Sequence, residues 1–276
     1  MGLATPPDDE MVQAEALPQA DASSLVDAER LESEVKEMYR HVAREEEAEL
    51  HFEVGRGLAL RLGYPEDLLD AVPAEALASF AGVGYYFDLA ALETAEEVLD
   101  LGSGSGTDVF IAALQVGESG RAVGIDFTDA QIAKARRLRD REAFSQVEFV
   151  EGPIDDLPFD DQSFDVVVSN GVINLSPMKS RVFAEVARVL KPGGRLAFAD
   201  IVSRRPLKER TRRDVELWAA CIAGAIPRSS YVEAIAAAGL QVREVRENDY
   251  NFISDRALQA CSTYGVESVS LVAVKG

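Results

Sequence analysis

The chain has 276 residues, of which 47% are hydrophobic, and carries a formal net charge of −20 at pH 7. This charge argues against binding to nucleic acid, because binding a phosphate backbone requires clustered Lys and Arg. No apolar stretch approaches the ~20 residues that cross a bilayer, and the N-terminus has no basic segment followed by an apolar one, so we expect no membrane partner. Two cysteines, Cys221 and Cys261, are too few for a disulfide framework, and we expect a cytoplasmic protein with reduced thiols.

Residues 1–24 are predicted to form a disordered acidic tail, because the first 28 residues contain no Lys or Arg. Residues 25–92 are predicted to form an N-terminal helical arm and lid. Apolar residues recur at helical spacing in the first part of this region, at Leu25, Val35, Met38, Tyr39 and Val42. Such a helix caps a ligand site, lies on its own domain or joins two copies of the chain in a homo-oligomer, and the sequence leaves these alternatives open.

Residues 98–106 read Val-Leu-Asp-Leu-Gly-Ser-Gly-Ser-Gly, a strand that ends in a glycine turn. A glycine turn lets the backbone approach a ligand without interference from Cβ atoms, and residues 107–116 are predicted to form the helix that follows. The next predicted strand, residues 122–125, is followed by Asp126. An acid about 20 residues beyond the glycines binds the ribose hydroxyls in dinucleotide folds. We therefore predict a ligand that carries a ribose.

Strand and helix patterns alternate through the rest of the chain. Strands are predicted over residues 146–150, 164–169 and 195–202, a helix over 176–190 with Ser176 as its N-cap, and an edge strand over 268–274. This alternation predicts an α/β fold with a mostly parallel sheet and helices on both faces.

Two runs of the sequence resemble class I S-adenosylmethionine-dependent methyltransferases. The first is residues 100–106, in which glycines alternate after a leading Asp, and the second is residues 190–196, Leu-Lys-Pro-Gly-Gly-Arg-Leu. The resemblance implies a Rossmann-like fold with a seven-stranded sheet, S-adenosylmethionine as the cofactor and S-adenosylhomocysteine as the product. Residues 93–276 would form this domain, with a substrate-binding insertion around residues 204–230.

The same resemblance implies which residues bind the amino-acid end and the ribose of the cofactor. Asp100, Gly102 and Gly104 would contact the amino-acid end. Asp126 would bind the ribose, and Asn170 would touch the methionine amino group through its carbonyl.

The resemblance also implies an adenine site and a contact from the N-terminal helix. Phe127 and Ile154 would enclose the adenine. Asp155 would bind the adenine amino group, because Pro153 stands where many relatives have Asp. Tyr39 would lie near the methionine part of the cofactor.

A more specific resemblance, over roughly residues 35–245, is to the arsenite methyltransferase family. It is carried by residues 79–87, 98–106, 170–176, 181–194 and 221–225. Family members place three cysteine thiolates around trivalent arsenic, and this chain has Val83, Gly171 and Cys221 at those positions. Valine and glycine side chains cannot donate an electron pair to a thiophilic metalloid, so we expect no metal site and a pocket adapted to another small molecule.

Aromatic residues beside these positions indicate what the other molecule is. The predicted substrate pocket consists of Tyr85, Tyr86, Gly171, Trp218 and Cys221. Aromatic walls suit a planar or hydrophobic organic substrate, such as an aromatic or isoprenoid natural product, although the same residues equally suit a core. If the acceptor must lose a proton, the candidate catalytic residues are His41, His51 and Tyr85.

The basic residues within 204–213 suit either an anionic substrate or internal ion pairs. Three functions stay open at this point. The first is methyl transfer to a small organic molecule, and the second is arsenite methylation with a reduced thiol site. The third is cofactor binding without methylation, as in a scaffold or a cyclase.

Overall fold

The structure is a computed structural model that describes residues 20–44, 52–214, 217–218 and 221–276. Within this part of the chain the strands are β1 Glu97–Leu101, β2 Arg121–Asp126, β3 Val147–Glu151, β4 Phe164–Asn170, β5 Leu190–Ser203, β6 Leu240–Glu247 and β7 Val266–Lys275. They form one sheet in the order β3-β2-β1-β4-β5-β7-β6. Strands β1 to β5 are parallel, and β7 is antiparallel to both β5 and β6. The predicted Rossmann-like, mostly parallel seven-stranded sheet is confirmed.

Helices lie on both faces of this sheet. The described helices are α1 Ala28–Arg44, α2 Arg56–Arg61, α3 Glu66–Asp70, α4 Ala74–Ala78, α5 Phe87–Ala90, α6 Thr107–Val116, α7 Asp129–Arg141, α8 Lys179–Val189, α9 Glu209–Arg212, α10 Arg228–Ala237 and α11 Asp255–Tyr264, with a 3-10 turn at Ile173–Leu175. The apolar residues of α6 and α7 share one core cluster, and those of α8 and α10 share another.

The side chains of β1 and β4 alternate between these two clusters. Val98 and Val166 pack in the cluster of α6, whereas Leu99 and Val167 pack in the cluster of α8. Successive residues of a strand point to opposite faces, and both faces are covered, which explains why these strands are continuous apolar runs.

The chain leaves the carboxyl ends of β1 and β4 towards opposite faces. Helix α6 follows β1 on one face, and α8 follows β4 on the other. Because β1 and β4 are neighbours in the sheet, a crevice opens between their carboxyl ends. This is the position at which open α/β sheets bind ligands.

Two element predictions are wrong. The helix predicted to begin at Ser176 begins at Lys179, because the backbone first forms the 3-10 turn and the Ser176 hydroxyl accepts the Met178 N–H at 3.0 Å. The last strand is not at the edge. It pairs with β5 on one side and β6 on the other, so that β6 is the edge strand.

Helix α1 lies against the domain with its apolar side. Leu31 and Val35 are buried in a cluster with Trp218 and Ala223, and the helix also packs on α7. The apolar residues that would join two copies are therefore used within the chain. The predicted tail up to residue 19 and the end of the predicted helix, residues 45–50, lie outside the described residues. The domain limits and the homo-oligomer stay predictions.

Candidate functional site

A cavity of about 250 Å³ lies at the carboxyl ends of β1, β2 and β4. Its walls are the glycine turn after β1, the end of β2, the loop after β3, the segment after β4, and α1. All nine residues predicted to bind the cofactor line it: Tyr39, Asp100, Gly102, Gly104, Asp126, Phe127, Ile154, Asp155 and Asn170. The sequence argument therefore selected residues that meet at one place in the fold.

The glycine turn requires its glycines at two positions for different reasons. Gly102 has φ +69°, and a Cβ there would lie 2.4 Å from the Val172 side chain. Gly104 has φ +53°, and a Cβ there would be at an ordinary contact distance of 3.8 Å from Gln131, while its N–H donates to Asp126 Oδ2 at 3.0 Å. The turn is thus both folded tightly against the segment after β4 and bound to the end of β2.

Asp126 is fixed in place by the backbone of two loops. Besides the Gly104 N–H, it accepts the Thr128 N–H at 2.8 Å through Oδ1. Burial raises the pKa of Asp126, and these two hydrogen bonds oppose that shift. The carboxylate is therefore held rigidly at the cavity wall, with lone pairs left for ligand hydroxyls.

Carboxyl groups are the main ionisable groups of the cavity lining. Asp100 and Asp108 are buried, and burial is the largest cause that raises the pKa of each. Among the described residues, no donor forms a hydrogen bond with the Asp100 carboxylate, and no Lys, Arg or His lines the cavity. A cationic ligand is the natural partner for this arrangement, and S-adenosylmethionine, which carries a sulfonium and an ammonium, fits it.

The residues predicted to enclose the adenine lie together in the cavity lining. Phe127 and Ile154 line the wall beyond Asp126, together with Pro153 and Asp155. Lys36 of α1 lies with its ammonium 5.1 Å from the centre of the Phe127 ring. Helix α1, predicted to be part of a lid, therefore contacts Phe127 directly.

Tyr39 closes the cavity from α1. Its carbonyl accepts Gln131 Nε2 at 3.1 Å, and its ring stacks on Phe52 at 6.2 Å. Burial raises the pKa of Tyr39 well above its usual value, so its hydroxyl is neutral and polar.

A tyrosine–carboxylate network, formed by Tyr64, Tyr86, Asp108 and Asn170, lies at the wall of the cavity, which Asp108 and Asn170 line. Asp108 accepts the hydroxyls of Tyr64 and Tyr86 at 2.9 and 2.8 Å. Asn170 Nδ2 donates to Tyr64 Oη at 2.9 Å and to Asp108 at 3.2 Å, and its Oδ1 accepts the Val83 N–H at 2.7 Å. The Asn170 side chain therefore fixes the loop that carries Val83.

Sequence reasoning missed Asp108 and Tyr64. Asp108 is an acid in the first turn of α6, a position that helices commonly fill with acids for electrostatic reasons. Tyr64 lies 44 residues before it. Only an unusual combination of a buried acid and a distant tyrosine marks this network, and the sequence alone does not pair them.

The three positions at which the family resemblance implies cysteines lie together. A Cβ built on Gly171 would be 3.2 Å from Val83 Cγ1, and Cys221 Sγ lies 3.8 Å from the Gly171 carbonyl oxygen. Burial, with a contribution from Asp200, raises the pKa of Cys221 to about 12. This cluster therefore holds one protonated thiol.

None of the five residues of the predicted substrate pocket lines the cavity, although Asn170 and Val172, the chain neighbours of Gly171, do. Tyr86 is fully buried, and its hydroxyl is bound to Asp108, while Tyr85 packs edge-on against Tyr64 at 5.0 Å. Trp218 is buried, and its Nε1 donates to the Arg212 carbonyl at 2.6 Å. These aromatics serve the core and the lid in this structure.

Of the predicted catalytic histidines, the structure describes His41, which does not line the cavity. His41 lies on α1 with Nε2 3.4 Å from Glu37 Oε1, and its side chain is 38% exposed. His51 lies outside the described residues. Burial raises the pKa of Tyr85, and this residue does not line the cavity either.

The basic segment 204–213 forms ion pairs with neighbouring acids. Arg204 Nε lies 2.5 Å from Glu267, and Arg213 Nη2 lies 2.5 Å from Glu209. In the described ranges, no group of three or more His, Cys, Asp or Glu is placed to hold a metal ion, and no helix there is both long and apolar enough to cross a membrane.

Comparison with known proteins agrees with this geometry. A family model described as "Methyltransferase domain" matches residues 92–254. The arsenite methyltransferase of Halobacterium salinarum is 40% identical over 197 residues, which are 71% of this chain and 50% of that protein. The chloroplastic 2-phytyl-1,4-beta-naphthoquinone methyltransferase of Arabidopsis thaliana is 39% identical over 106 residues, 37% of this chain and 41% of that protein. The chain spans about half the length of the curated relatives it matches.

A solved structure is similar over most of the chain. The arsenic(III) S-adenosylmethionine methyltransferase of Chlamydomonas reinhardtii matches with a TM-score of 0.59 and 28% sequence identity. The match covers 80% of this chain and 74% of that one.

Proposed function

Because the chain belongs to the class I S-adenosylmethionine-dependent methyltransferase family, we propose that it transfers a methyl group to a small hydrophobic organic molecule rather than to arsenite. The observation that carries this proposal is the cluster of Val83, Gly171 and Cys221, in which three converging positions provide one thiol. Trivalent arsenic prefers thiolate ligands, and the pKa of Cys221, raised to about 12, keeps that thiol protonated at neutral pH.

The chain's own residues hold and orient the cofactor. When bound, S-adenosylmethionine supplies a methyl group on a sulfonium for in-line displacement. We assign Asp126 to its ribose, Phe127 and Ile154 to its adenine, and the uncompensated carboxylate of Asp100 to its positive end. Leu31 of α1 excludes water from one side of the cavity. Alignment of the nucleophile with the methyl carbon is the main contribution to the rate.

The acceptor must bring an electron-rich nucleophile to the site. Burial raises the pKa of Tyr39 and Tyr85, so neither is a base at neutral pH, and His41 lies outside the cavity lining. An aromatic or isoprenoid acceptor, such as the naphthoquinone class in the name of the Arabidopsis thaliana relative, attacks the methyl carbon with its π electrons as the carbon–sulfur bond breaks. Its proton leaves the methylated carbon afterwards and can pass to water, so no strong base among these residues is required. Val83 and Gly171, whose chain neighbours Gly82, Asn170 and Val172 line the cavity, would present an apolar wall to the acceptor.

The test measures S-adenosylhomocysteine release with arsenite and excess thiol, beside a panel of phenols, reduced quinones and isoprenoids. Calorimetric binding of the cofactor on the same sample shows that the protein is competent. Turnover of an organic acceptor without turnover of arsenite supports the proposal. Turnover of arsenite that is lost in Cys221→Ser refutes it.

A second function, arsenite methylation with fewer thiols, is favoured by the 40% identity to the Halobacterium salinarum arsenite methyltransferase. The variant Val83→Cys/Gly171→Cys separates the two. If the missing thiols alone prevent arsenite chemistry, this variant gains arsenite binding that Val83→Ser/Gly171→Ser does not. Both pairs carry the same backbone strain, because Gly171 has φ +73°.

A further inference from the structure

Lys179, the first residue of α8, is buried next to the segment that lines the cavity. Its side chain is only 1% exposed. Nζ donates to the carbonyls of Asn174 and Ser176, each at 2.8 Å, and lies 5.0 Å from the centre of the Trp218 ring. A buried ammonium with two carbonyl acceptors and an aromatic face has well-defined partners.

Asp200 of β5 holds the same segment from its other end. Its Oδ2 accepts the Asn174 N–H at 2.9 Å and the Tyr231 hydroxyl at 2.7 Å. Burial lowers the pKa of Lys179 and raises that of Asp200, while the opposite charges counteract both shifts. The N–H of Asn174 is thus bound by the Asp200 carboxylate, and its carbonyl is bound by the Lys179 ammonium.

The segment held in this way also connects the cavity to the N-terminal lid. Residues 175–178 line the cavity. The Ala22 N–H donates to the Pro177 carbonyl at 2.7 Å, and Asp21 Oδ1 accepts the Ser180 N–H at 3.0 Å. The chain that leads into α1 is therefore fixed to the start of α8.

Trp218 completes the connection. The indole that receives the Lys179 ammonium packs in one cluster with Leu31 and Val35 of α1. These two residues line the cavity. A contiguous set of contacts runs from the buried ammonium through the indole to the lid residues over the cofactor site.

We infer that Lys179 is a positioning residue that fixes both the segment 173–178 and the N-terminal helix over the cofactor cavity, so that tight cofactor binding depends on this buried side chain. Its ammonium does not reach the cavity, and its effect passes through the two carbonyls and the indole. The inference rests on the proposed cofactor binding and not on the identity of the acceptor.

The first experiment compares cofactor affinity in Lys179→Met and in a matched control, Arg181→Met. Arg181 is on the same helix, with a side chain 51% exposed and paired with Asp156. With S-adenosylhomocysteine as the calorimetric probe, we expect Lys179→Met to weaken binding at least tenfold and the control to stay within twofold of wild type. Equal affinity of Lys179→Met and wild type overturns the inference.

The fluorescence of Trp218 provides a readout that a purely structural role would not change. The chain has a single tryptophan, so emission reports on this cluster alone. We expect probe binding to shift the emission of wild type and of Arg181→Met, but not of folded Lys179→Met. The same shift in Lys179→Met shows that lid and cavity are coupled without the ammonium, which contradicts the inference.

If Lys179→Met does not fold, Asp21→Ala tests whether the connection between the start of α8 and the N-terminal helix supports cofactor binding. Asp21 is partly exposed, outside the core, and accepts the Ser180 N–H. We expect a threefold or larger loss of probe affinity with an unchanged circular dichroism spectrum, and unchanged affinity would overturn the inference. Wild-type protein that fails to bind the probe refutes the proposed function itself, which distinguishes the two failures.

Discussion

Replacing Asp126 is expected to remove most of the affinity for the cofactor. Both carboxylate oxygens are already fixed by the backbone, by the Gly104 N–H at 3.0 Å and the Thr128 N–H at 2.8 Å, so the group meets a ribose without reorganisation. A hydrogen bond to a charged group contributes about 1.5–3 kcal/mol. Loss of two ribose hydrogen bonds therefore costs at least about 3 kcal/mol, which is on the order of a hundredfold in Kd.

The assay is calorimetric titration of Asp126→Ala and Asp126→Asn with S-adenosylhomocysteine. The asparagine keeps one acceptor oxygen, so we expect roughly a tenfold loss from it. Glu151→Ala is the control, because Glu151 is the register partner of Asp126 on β3 and is exposed outside the cavity. A loss below threefold in a folded Asp126→Ala protein would refute the assignment of the ribose site.

Three further predictions concern stability. Tyr64→Phe removes a hydroxyl from the tyrosine–carboxylate network and should cost about 1–3 kcal/mol in thermal or urea unfolding. Tyr85→Phe should cost less, since of these two tyrosines it is Tyr64 whose hydroxyl forms a hydrogen bond with the buried Asp108. Gly102→Ala should destabilise the protein by about 1–3 kcal/mol more than Gly104→Ala, because both have positive φ but only the first Cβ would overlap a side chain. Burial raises the pKa of Asp200 to about 6, so its contribution to stability is present below the unfolded pKa and is lost as pH rises through about 6. The difference in unfolding free energy between wild type and Asp200→Asn should accordingly decrease from pH 4 to pH 7, and a difference that grows would contradict the burial argument.

The sequence could group the residues predicted to bind the cofactor because their signals are local. The turn of Gly102 and Gly104 joins two consecutive elements, and Asp126 ends the next strand along the chain. In a parallel sheet, the carboxyl ends of neighbouring strands meet at one edge, so sequence order translates directly into position. The same logic fails for β7, whose place between β5 and β6 depends on antiparallel pairing across most of the domain.

The residues predicted to form the substrate pocket were harder to place, because their side chains bind partners that are distant in sequence. Tyr86 has the size and polarity of a pocket residue, but its hydroxyl donates to the buried carboxylate of Asp108. In the sequence, Asp108 is an ordinary acid in the first turn of a helix. Trp218 does not line the cavity either. It packs in an apolar cluster with residues of α1, and the Lys179 ammonium lies over its ring. Each of these aromatic residues contacts a buried ionisable group, Asp108 or Lys179. A sequence pattern does not show which ionisable residues are buried.

Val83, Gly171 and Cys221 lie in one small cluster, which limits the side chains that fit there. Gly171 has φ +73° and faces Val83 at contact distance, so a side chain at either position occupies space that the other position would use. A valine opposite a glycine fills that space with carbon and leaves the backbone of the turn unaltered, because the Asn170 side chain binds the Val83 N–H and not its side chain. The Asn170 side chain therefore holds this loop through its backbone, and exchange of the side chains at positions 83 and 171 changes the chemistry of the cluster between thiol and hydrocarbon without removing that hydrogen bond.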